Sequence, residues 1–183
     1  MKKIIQEELR SELATTIRRQ IELLMRLQVL DPGQLLRRPA PGQWSIVQVL
    51  EHLNSYGDFY LPEITKAINA ASATRGFYKP GWLGNYFVEL IRPGPEGKPR
   101  RKMKAIKRHQ PSFHADTRPV LQRCLQQQHE LLKLLDQARE KDWGSSRTAV
   151  SLSKMLHIKL GDCIRFVVAH QERHLMPLMD RVG

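Results

Sequence analysis

The chain has 183 residues, of which 41% are hydrophobic, and this size and composition predict one globular domain spanning residues 1–183. Its longest uncharged apolar stretch is far shorter than the roughly 18 to 20 residues of a membrane-spanning helix, and its charged start is unlike a signal peptide. We therefore expect a cytoplasmic protein with no membrane partner. The formal net charge is +12, so an anionic partner is one of the possibilities that the sequence raises.

The first predicted element is a long amphipathic helix from Lys3 to about Leu30. Apolar residues recur there at every third or fourth position, which is the helical period. The motif Asp31-Pro32-Gly33 ends this pattern, and the two prolines and the glycine of residues 38–43 exclude a helix immediately after it. A connecting loop is expected between the first two long helices.

The second helix is predicted to begin at Ser45. Ser45 is a good N-cap, and Gln48 three residues later completes the capping-box pattern, with Trp44 placed to pack over the helix entry. The apolar stripe continues to about Ala73. Pro62 is expected to kink this helix or to mark a local break, because proline lacks the N–H of the helical hydrogen bond.

A long connection from about residue 76 to residue 112 follows, rich in proline and glycine. It contains one predicted short helix, from about Trp82 to Ile91. It also carries a basic run without any acidic residue, made of Lys98, Arg100, Arg101, Lys102, Lys104, Lys107 and Arg108. A solvated loop is the favoured interpretation, because no aromatic residues interleave with the charges; binding of nucleic acid, anionic lipid or an acidic substrate is the alternative.

Two further helices are predicted, from about Ala115 to Glu140 and from about Ser153 to Asp180, joined by a linker over residues 142–152. The inward stripe of the last helix is expected to contain Leu156, Leu160, Cys163, Ile164, Val167, His170, His174 and Leu178. Four long amphipathic helices without an alternating strand pattern predict an all-α four-helix bundle with a long crossover between its second and third helices.

The two cysteines, Cys124 and Cys163, are interpreted as buried free thiols. Each lies in an apolar periodic segment, and neither belongs to a CxxC motif. Cys163 is two turns from His170 and is therefore a conceivable fourth contact of a site there, but a core position is the preferred interpretation.

Three of the seven histidines have the arrangement of a metal site. His170 and His174 are four residues apart, so both lie on the inward face of the last helix, where a divalent metal would satisfy two imidazole nitrogens. His52 lies beside the apolar stripe of the second helix and can supply a third ligand. Zinc, nickel or iron would then keep open positions for water or substrate.

The residues around this histidine pair, and the other four histidines, bear on the kind of reaction. Gln171 follows His170 where the zincin motif H-E-x-x-H needs its glutamate base, and Glu172 projects away from the site, so a hydrolytic reaction would need another base. The other four histidines, interpreted as structural or surface residues with a lid contact open for the first two, are His109, His114, His129 and His157.

The segments Trp44–Leu53 and Phe166–Leu175, in this order and separated by a long connection, resemble the two signature segments of the damage-inducible DinB-like superfamily. The resemblance spans the chain. It implies an up-down-down-up four-helix bundle, often a homodimer, with a site for nickel, zinc or another divalent ion such as iron or manganese on His52, His170 and His174.

The same resemblance implies a bacterial stress-response context and several possible activities. Some similar proteins are thiol-dependent transferases or isomerases that use bacillithiol or mycothiol, and others resemble metal-dependent hydrolases. The chain departs from the shorter members in its basic, proline-rich segment from about Gly76 to Pro111.

Three functions follow for consideration. The first is an enzyme in which the metal lowers the pKa of a thiol or a water that attacks a small electrophilic substrate, with Arg173 or the basic run neutralising an anionic group. The second is a non-enzymatic metal-binding protein, and the third is a nucleic-acid binder that uses the basic run. An open coordination position distinguishes the first from the second, and a steep salt dependence of binding marks the third.

Overall fold

The structure is a computed structural model that describes residues 1–94, 105–111 and 116–179. Helices make up most of these residues, which confirms the mostly helical part of the predicted fold. In chain order the elements are β1 (Ile4–Ile5), α1 (Gln6–Leu27), α2 (Pro32–Leu36), α3 (Ile46–Ala70), β2 (Phe77–Tyr78), α4 (Trp82–Ile91), a 3-10 turn (Lys107–His109), α5 (Thr117–Gln137), β3 (Arg147–Val150), β4 (Ser153–Lys159) and α6 (Leu160–Met179).

The four long helices α1, α3, α5 and α6 form the body of the fold. Helices α1 and α3 each pack against both α5 and α6. Their apolar stripes meet in the interior, where the fully buried side chains include Ile17, Leu24, Leu50, Ile64, Leu121, Leu131 and Leu160. These residues lie on the apolar faces that the helical periodicity of the sequence predicts.

The start of α3 is formed as the sequence predicts. The N–H of Gln48 donates to the Ser45 hydroxyl at 3.3 Å, and the N–H of Ser45 donates to the Gln48 side chain at 3.1 Å. A second capping box, between Asp31 and Gln34, begins the short helix α2, where the sequence predicted a loop. Pro32 follows Asp31 at the first helical position, where its missing N–H costs nothing.

The predicted helix ends need correction. Helix α1 begins at Gln6 and not at Lys3, because β1 pairs antiparallel with β2 instead of joining the helix. Helix α3 ends at Ala70, and it is continuous through Pro62, so the expected local break is absent from this helix. Helix α5 begins at Thr117 and not at about Ala115, which places Pro119 in its first turn, where proline is tolerated.

The largest correction concerns the last helix. Residues Ser153–Lys159 form strand β4, which pairs antiparallel with β3, and α6 begins only at Leu160. Leu156, predicted to face inward from a helix, is 38% exposed. The prediction of a chain without strands was therefore wrong for this segment and for β1, β2 and β3.

The β3–β4 hairpin is held by the side chains of α3. The N–H of Ala149 donates to the Glu63 carboxylate at 3.4 Å, and the N–H of Ser151 donates to the Tyr60 hydroxyl at 3.1 Å. These contacts satisfy backbone donors that a helix would have paired internally. They hold the turn of the hairpin against the middle of α3.

Helix α4 lies within the bounds predicted for it and packs on α6. The carboxylate of Asp162, which is fully buried in α6, accepts hydrogen bonds from the Tyr78 hydroxyl and, at 2.9 Å, from the N–H of Gly81. Arg165 Nη1 lies 3.5 Å from the same carboxylate. This buried polar cluster fixes the start of α4, whose far end lies beside the histidines.

Among the residues that the structure describes, no helix combines the length and the apolar character that crossing a membrane requires.

Candidate metal centre

His52 on α3 and the pair His170 and His174 on α6 converge in the interior. One ring nitrogen from each lies within 4.8 Å of the others, and the Nε2 atoms of His52 and His170 are 3.3 Å apart. Two nitrogens bound to one tetrahedral zinc at about 2.0 to 2.1 Å would lie roughly 3.4 Å apart. The arrangement that the sequence predicted for these three residues is therefore present.

Burial keeps these imidazoles neutral. His52 and His170 are buried and His174 is half-buried. Desolvation lowers the pKa of His174 to about 3, lowers that of His170 well below its usual value, and lowers that of His52 as well. Neutral imidazoles carry the free lone pairs that a metal needs, so the cluster requires no deprotonation to bind an ion near pH 7.

The orientation of His52 is set by a residue that the sequence analysis did not assign to the site. The Nδ1–H of His52 donates to the backbone carbonyl of His109 at 2.7 Å. A carbonyl can only accept, so the proton is on Nδ1 and the lone pair is on Nε2, which faces His170. The contact uses a main-chain atom, and for that reason no side-chain pattern in the sequence could reveal it.

Aromatic rings surround the cluster. The ring of Tyr56, one turn after His52, lies 5.0 Å from the His52 ring and 4.2 Å from the His170 ring, between centroids. The Trp44 ring lies 5.0 Å from His52. These rings restrict the histidines to a few orientations and lower the local dielectric, which strengthens any charge interaction at the site.

The cluster forms part of the wall of a cavity of about 870 Å³. This volume is within the usual range of pockets that hold a small molecule. The aromatic and aliphatic part of the lining consists of Trp44, Val49, Tyr56, Tyr60, Phe87, Leu90, Ile91, Ala105, Ile106, Pro111, Leu152 and Phe166. The β3–β4 hairpin also contributes to the wall, since Ser151 and Leu152 form its turn and line the cavity.

The charged part of the lining is positive. Arg38 and Arg173 line the cavity, and no aspartate or glutamate belongs to the described part of its wall. Arg173 is only 5% exposed, and its Nη1 lies 3.4 Å from the carbonyl of Ile91. Burial lowers the pKa of this guanidinium, which nevertheless stays protonated at neutral pH. An anionic group would therefore be stabilised here.

The other predicted positions are distributed as follows. Cys124 and Cys163 are buried free thiols, as expected, and burial raises the pKa of each to about 12. Lys107 and Arg108 are exposed, whereas the other five members of the basic run lie outside the described residues, as does His114. His129 and His157 are exposed.

The residues present fit a divalent metal ion. Three neutral imidazoles converge, and one of them has its second nitrogen hydrogen-bonded to a carbonyl, which is the usual support of a metal-binding histidine. Gln171, buried beside His170, cannot act as a base, so the difference from the zincin motif remains.

One of three comparisons with known proteins found a match. A family model of the DinB superfamily matches residues 15–176, a range that contains all three histidines. Searches of curated proteins and of solved structures gave no match. Because the family model covers most of the sequence, the chain belongs to the DinB superfamily.

Proposed function

We propose that this chain is a single-domain metal-dependent enzyme with the up-down-down-up four-helix-bundle topology. His52, His170 and His174 hold one divalent ion, nickel or zinc in the first place and iron or manganese as alternatives. The reaction is a thiol-dependent S-transfer or a hydrolysis of a small-molecule electrophile. A bacterial, cytoplasmic homodimer with a role in stress response is part of the same proposal.

One observation carries the proposal: the three converging imidazoles form part of the wall of an 870 Å³ cavity. A purely structural metal site is closed by its protein ligands, whereas a catalytic site keeps a position for water or substrate. Room beside the cluster for a small molecule favours the enzyme over the non-enzymatic metal-binding protein.

Held by His52, His170 and His174, a divalent ion would lower the pKa of a bound thiol or water, so that a nucleophile would exist near neutral pH. The protein residues do the rest. The aromatic wall excludes water around an apolar substrate group, and Arg173 holds an anionic group of the thiol or the substrate. Burial raises the pKa of Tyr56, so its hydroxyl stays protonated and can donate a hydrogen bond to a developing negative charge.

The first experiment is metal analysis of the tag-free protein by inductively coupled plasma mass spectrometry. We expect about one equivalent of metal in the wild type and in the control His129→Ala, and none in the double variant His170→Ala/His174→Ala. A wild type that stays metal-free after reconstitution with nickel and with zinc would end the proposal.

A second experiment distinguishes a catalytic from a structural metal. The protein is loaded with cobalt(II), and its visible spectrum is recorded while a small thiol such as cysteine is added. A change in the ligand-field bands shows that an added molecule reaches the ion, as an enzyme requires. Unchanged bands would favour the non-enzymatic alternative, and a positive result justifies a screen for S-transfer and hydrolysis.

A further inference from the structure

Residues 105–111 lie against α3 at the position of His52, and His109 is the residue that makes the contact. Its side chain is only 4% exposed. Its carbonyl accepts the Nδ1–H of His52 at 2.7 Å, and its ring centroid lies 4.0 Å from that of Tyr56. His109 lies in a loop, between two exposed basic residues and an exposed glutamine, and yet its side chain is buried beside His52 and Tyr56.

Ser55 fastens this residue to α3. The Ser55 hydroxyl donates to the carbonyl of His52 at 2.8 Å, and its oxygen lies 2.9 Å from Nδ1 of His109. The single hydroxyl proton is directed to the His52 carbonyl, so Nδ1–H of His109 donates to the serine oxygen. The three residues are therefore joined in a ring of hydrogen bonds. His109 donates to Ser55, Ser55 donates to the carbonyl of His52, and the ring of His52 donates to the carbonyl of His109.

The consequence for His52 is a fixed tautomer and a fixed ring orientation. With the proton on Nδ1, the lone pair of Nε2 faces His170 and His174, as metal binding requires. Without the His109 carbonyl, the neutral ring could carry its proton on either nitrogen. A proton on Nε2 would occupy the lone pair with which His52 would bind the metal.

The same segment borders the cavity. Ile106 and Gln110, on either side of the 3-10 turn, line its wall, while the exposed Arg108 packs over the Phe59 ring at 5.4 Å. The position of residues 105–111 thus determines both the orientation of one metal ligand and the shape of one side of the cavity.

From these contacts we infer that His109 and Ser55 are positioning residues of the metal centre, which act through His52 and touch neither metal nor substrate. The inference rests on the proposed function for its metal-binding consequence. Its structural part, the placement of the His52 proton, stands apart from metal binding and is measured separately.

The metal-binding test uses zinc affinity, determined by competition with a chromophoric chelator. Ser55→Ala and His109→Ala keep the carbonyl of residue 109 but remove the hydrogen bond that holds it against His52. Both are therefore expected to bind zinc about 10- to 100-fold more weakly than the wild type, as when a partner behind a metal ligand is lost. Ser55→Thr keeps the hydroxyl, and His109→Asn keeps a polar group near the position of Nδ1, so both should recover most of the affinity.

The matched control is Thr65→Ala. Thr65 is also half-buried on α3, and its hydroxyl also donates to a backbone carbonyl of the same helix, that of Leu61 at 2.9 Å. It lies outside the histidine cluster, so its removal reports the cost of losing such a bond without affecting the metal centre. Zinc affinity of Thr65→Ala should equal that of the wild type.

The second readout is the tautomer of His52 in the metal-free protein, from the ¹⁵N chemical shifts of its imidazole. The wild type should show the proton on Nδ1, and Ser55→Ala and His109→Ala a mixture of tautomers. Wild-type tautomer and wild-type affinity in both variants would overturn the inference. A wild type that binds no metal but has the Nδ1 tautomer, lost in the variants, would overturn the proposed function and leave the positioning role supported.

Discussion

The Nε2 atoms of His52 and His170 lie 3.3 Å apart, although 118 positions separate the two residues in the chain. Since the proton of His52 is on Nδ1, its Nε2 has only a lone pair to offer, and in the metal-free protein it can accept a hydrogen bond from Nε2–H of His170. A metal ion bound there would take the place of that proton, which would move to Nδ1 of His170, so the ring would stay neutral. Binding would thus exchange one hydrogen bond for two ligand bonds.

The first prediction concerns the single ligands. Replacement of His52, His170 or His174 by alanine, one at a time, should weaken zinc binding by more than about 100-fold, because loss of a ligand costs more than loss of its supporting partner. Competition with a chromophoric chelator measures the affinity. The control His157→Ala changes an exposed histidine of β4 and should bind as the wild type does; an undiminished affinity in any ligand variant would exclude that residue from the site.

The second prediction is the pH dependence of stability in the metal-free protein. The pKa of His174 is lowered to about 3 from its ordinary 6.5, so below pH 6.5 the unfolded chain binds a proton that the folded chain does not. The free energy of unfolding must then fall as the pH falls from 6.5 towards 3. One such group contributes about 1.4 kcal/mol per pH unit, and His52 and His170 act in the same direction.

Urea unfolding with a chelator present, repeated between pH 7 and about 4, measures this slope. His174→Gln should remove roughly one proton from the dependence, whereas His129→Gln, a change at an exposed position, should leave it intact. Equal slopes in the wild type and His174→Gln would contradict the burial of this imidazole in its neutral form.

Local patterns account for the parts of the site that the sequence predicts. The Ser45 capping box depends on residues three apart, and the common face of His170 and His174 depends on a spacing of four. Such relations need no knowledge of the rest of the fold. The inward position of His52 follows in the same way from the apolar stripe of α3.

The missed features depend on contacts between distant segments. Residues 153–159 carry apolar side chains compatible with a helix, and no Asn-Gly or similar pair marks the turn of the β3–β4 hairpin. Its strands are stabilised by Glu63 and Tyr60 of α3, which are far away in the sequence. The role of His109 could not be predicted for the same reason. Every residue has a backbone carbonyl, and only the fold brings the carbonyl of His109 to His52.

The third prediction addresses the buried cluster that fixes α4. Asp162→Ala should destabilise the protein by about 3 to 5 kcal/mol, because it leaves Arg165 without this carboxylate in a buried environment. Asp162→Asn keeps one acceptor oxygen, which can serve the Gly81 N–H, while its amide N–H can donate to the oxygen of the Tyr78 hydroxyl, so its cost should be smaller.

Urea midpoints give these differences. Asp136→Ala is the matched control, since that carboxylate is 76% exposed and its ion pair with Arg10 spans 3.7 Å, so its loss should change the free energy of unfolding by less than about 1 kcal/mol. If Asp162→Ala were as harmless as Asp136→Ala, the polar cluster would have no part in holding α4 on α6.

The last prediction concerns what the cavity accepts. Its wall combines aromatic side chains with Arg38 and Arg173, and its described part has no acidic residue, so an apolar anion should bind better than its neutral counterpart. Calorimetry with 1-naphthoate and with 1-naphthamide, both on metal-free protein, separates charge from shape. We expect the carboxylate to bind about tenfold more tightly or better, as a charged hydrogen bond implies.

Arg173→Gln should reduce this preference to what the exposed Arg38 alone provides, while keeping a donor for the Ile91 carbonyl. Arg173→Lys should retain more of it, because lysine keeps the charge without the planar guanidinium. Arg92→Gln removes a cation that is 47% exposed, lies outside the cavity wall and pairs with Glu89, and it should leave the preference unchanged. The metal-free protein is the right sample, since a carboxylate that bound an ion would mimic the effect of Arg173. If both ligands bound the wild type equally, the positive lining would not select the substrate, and the aromatic wall alone would have to do so.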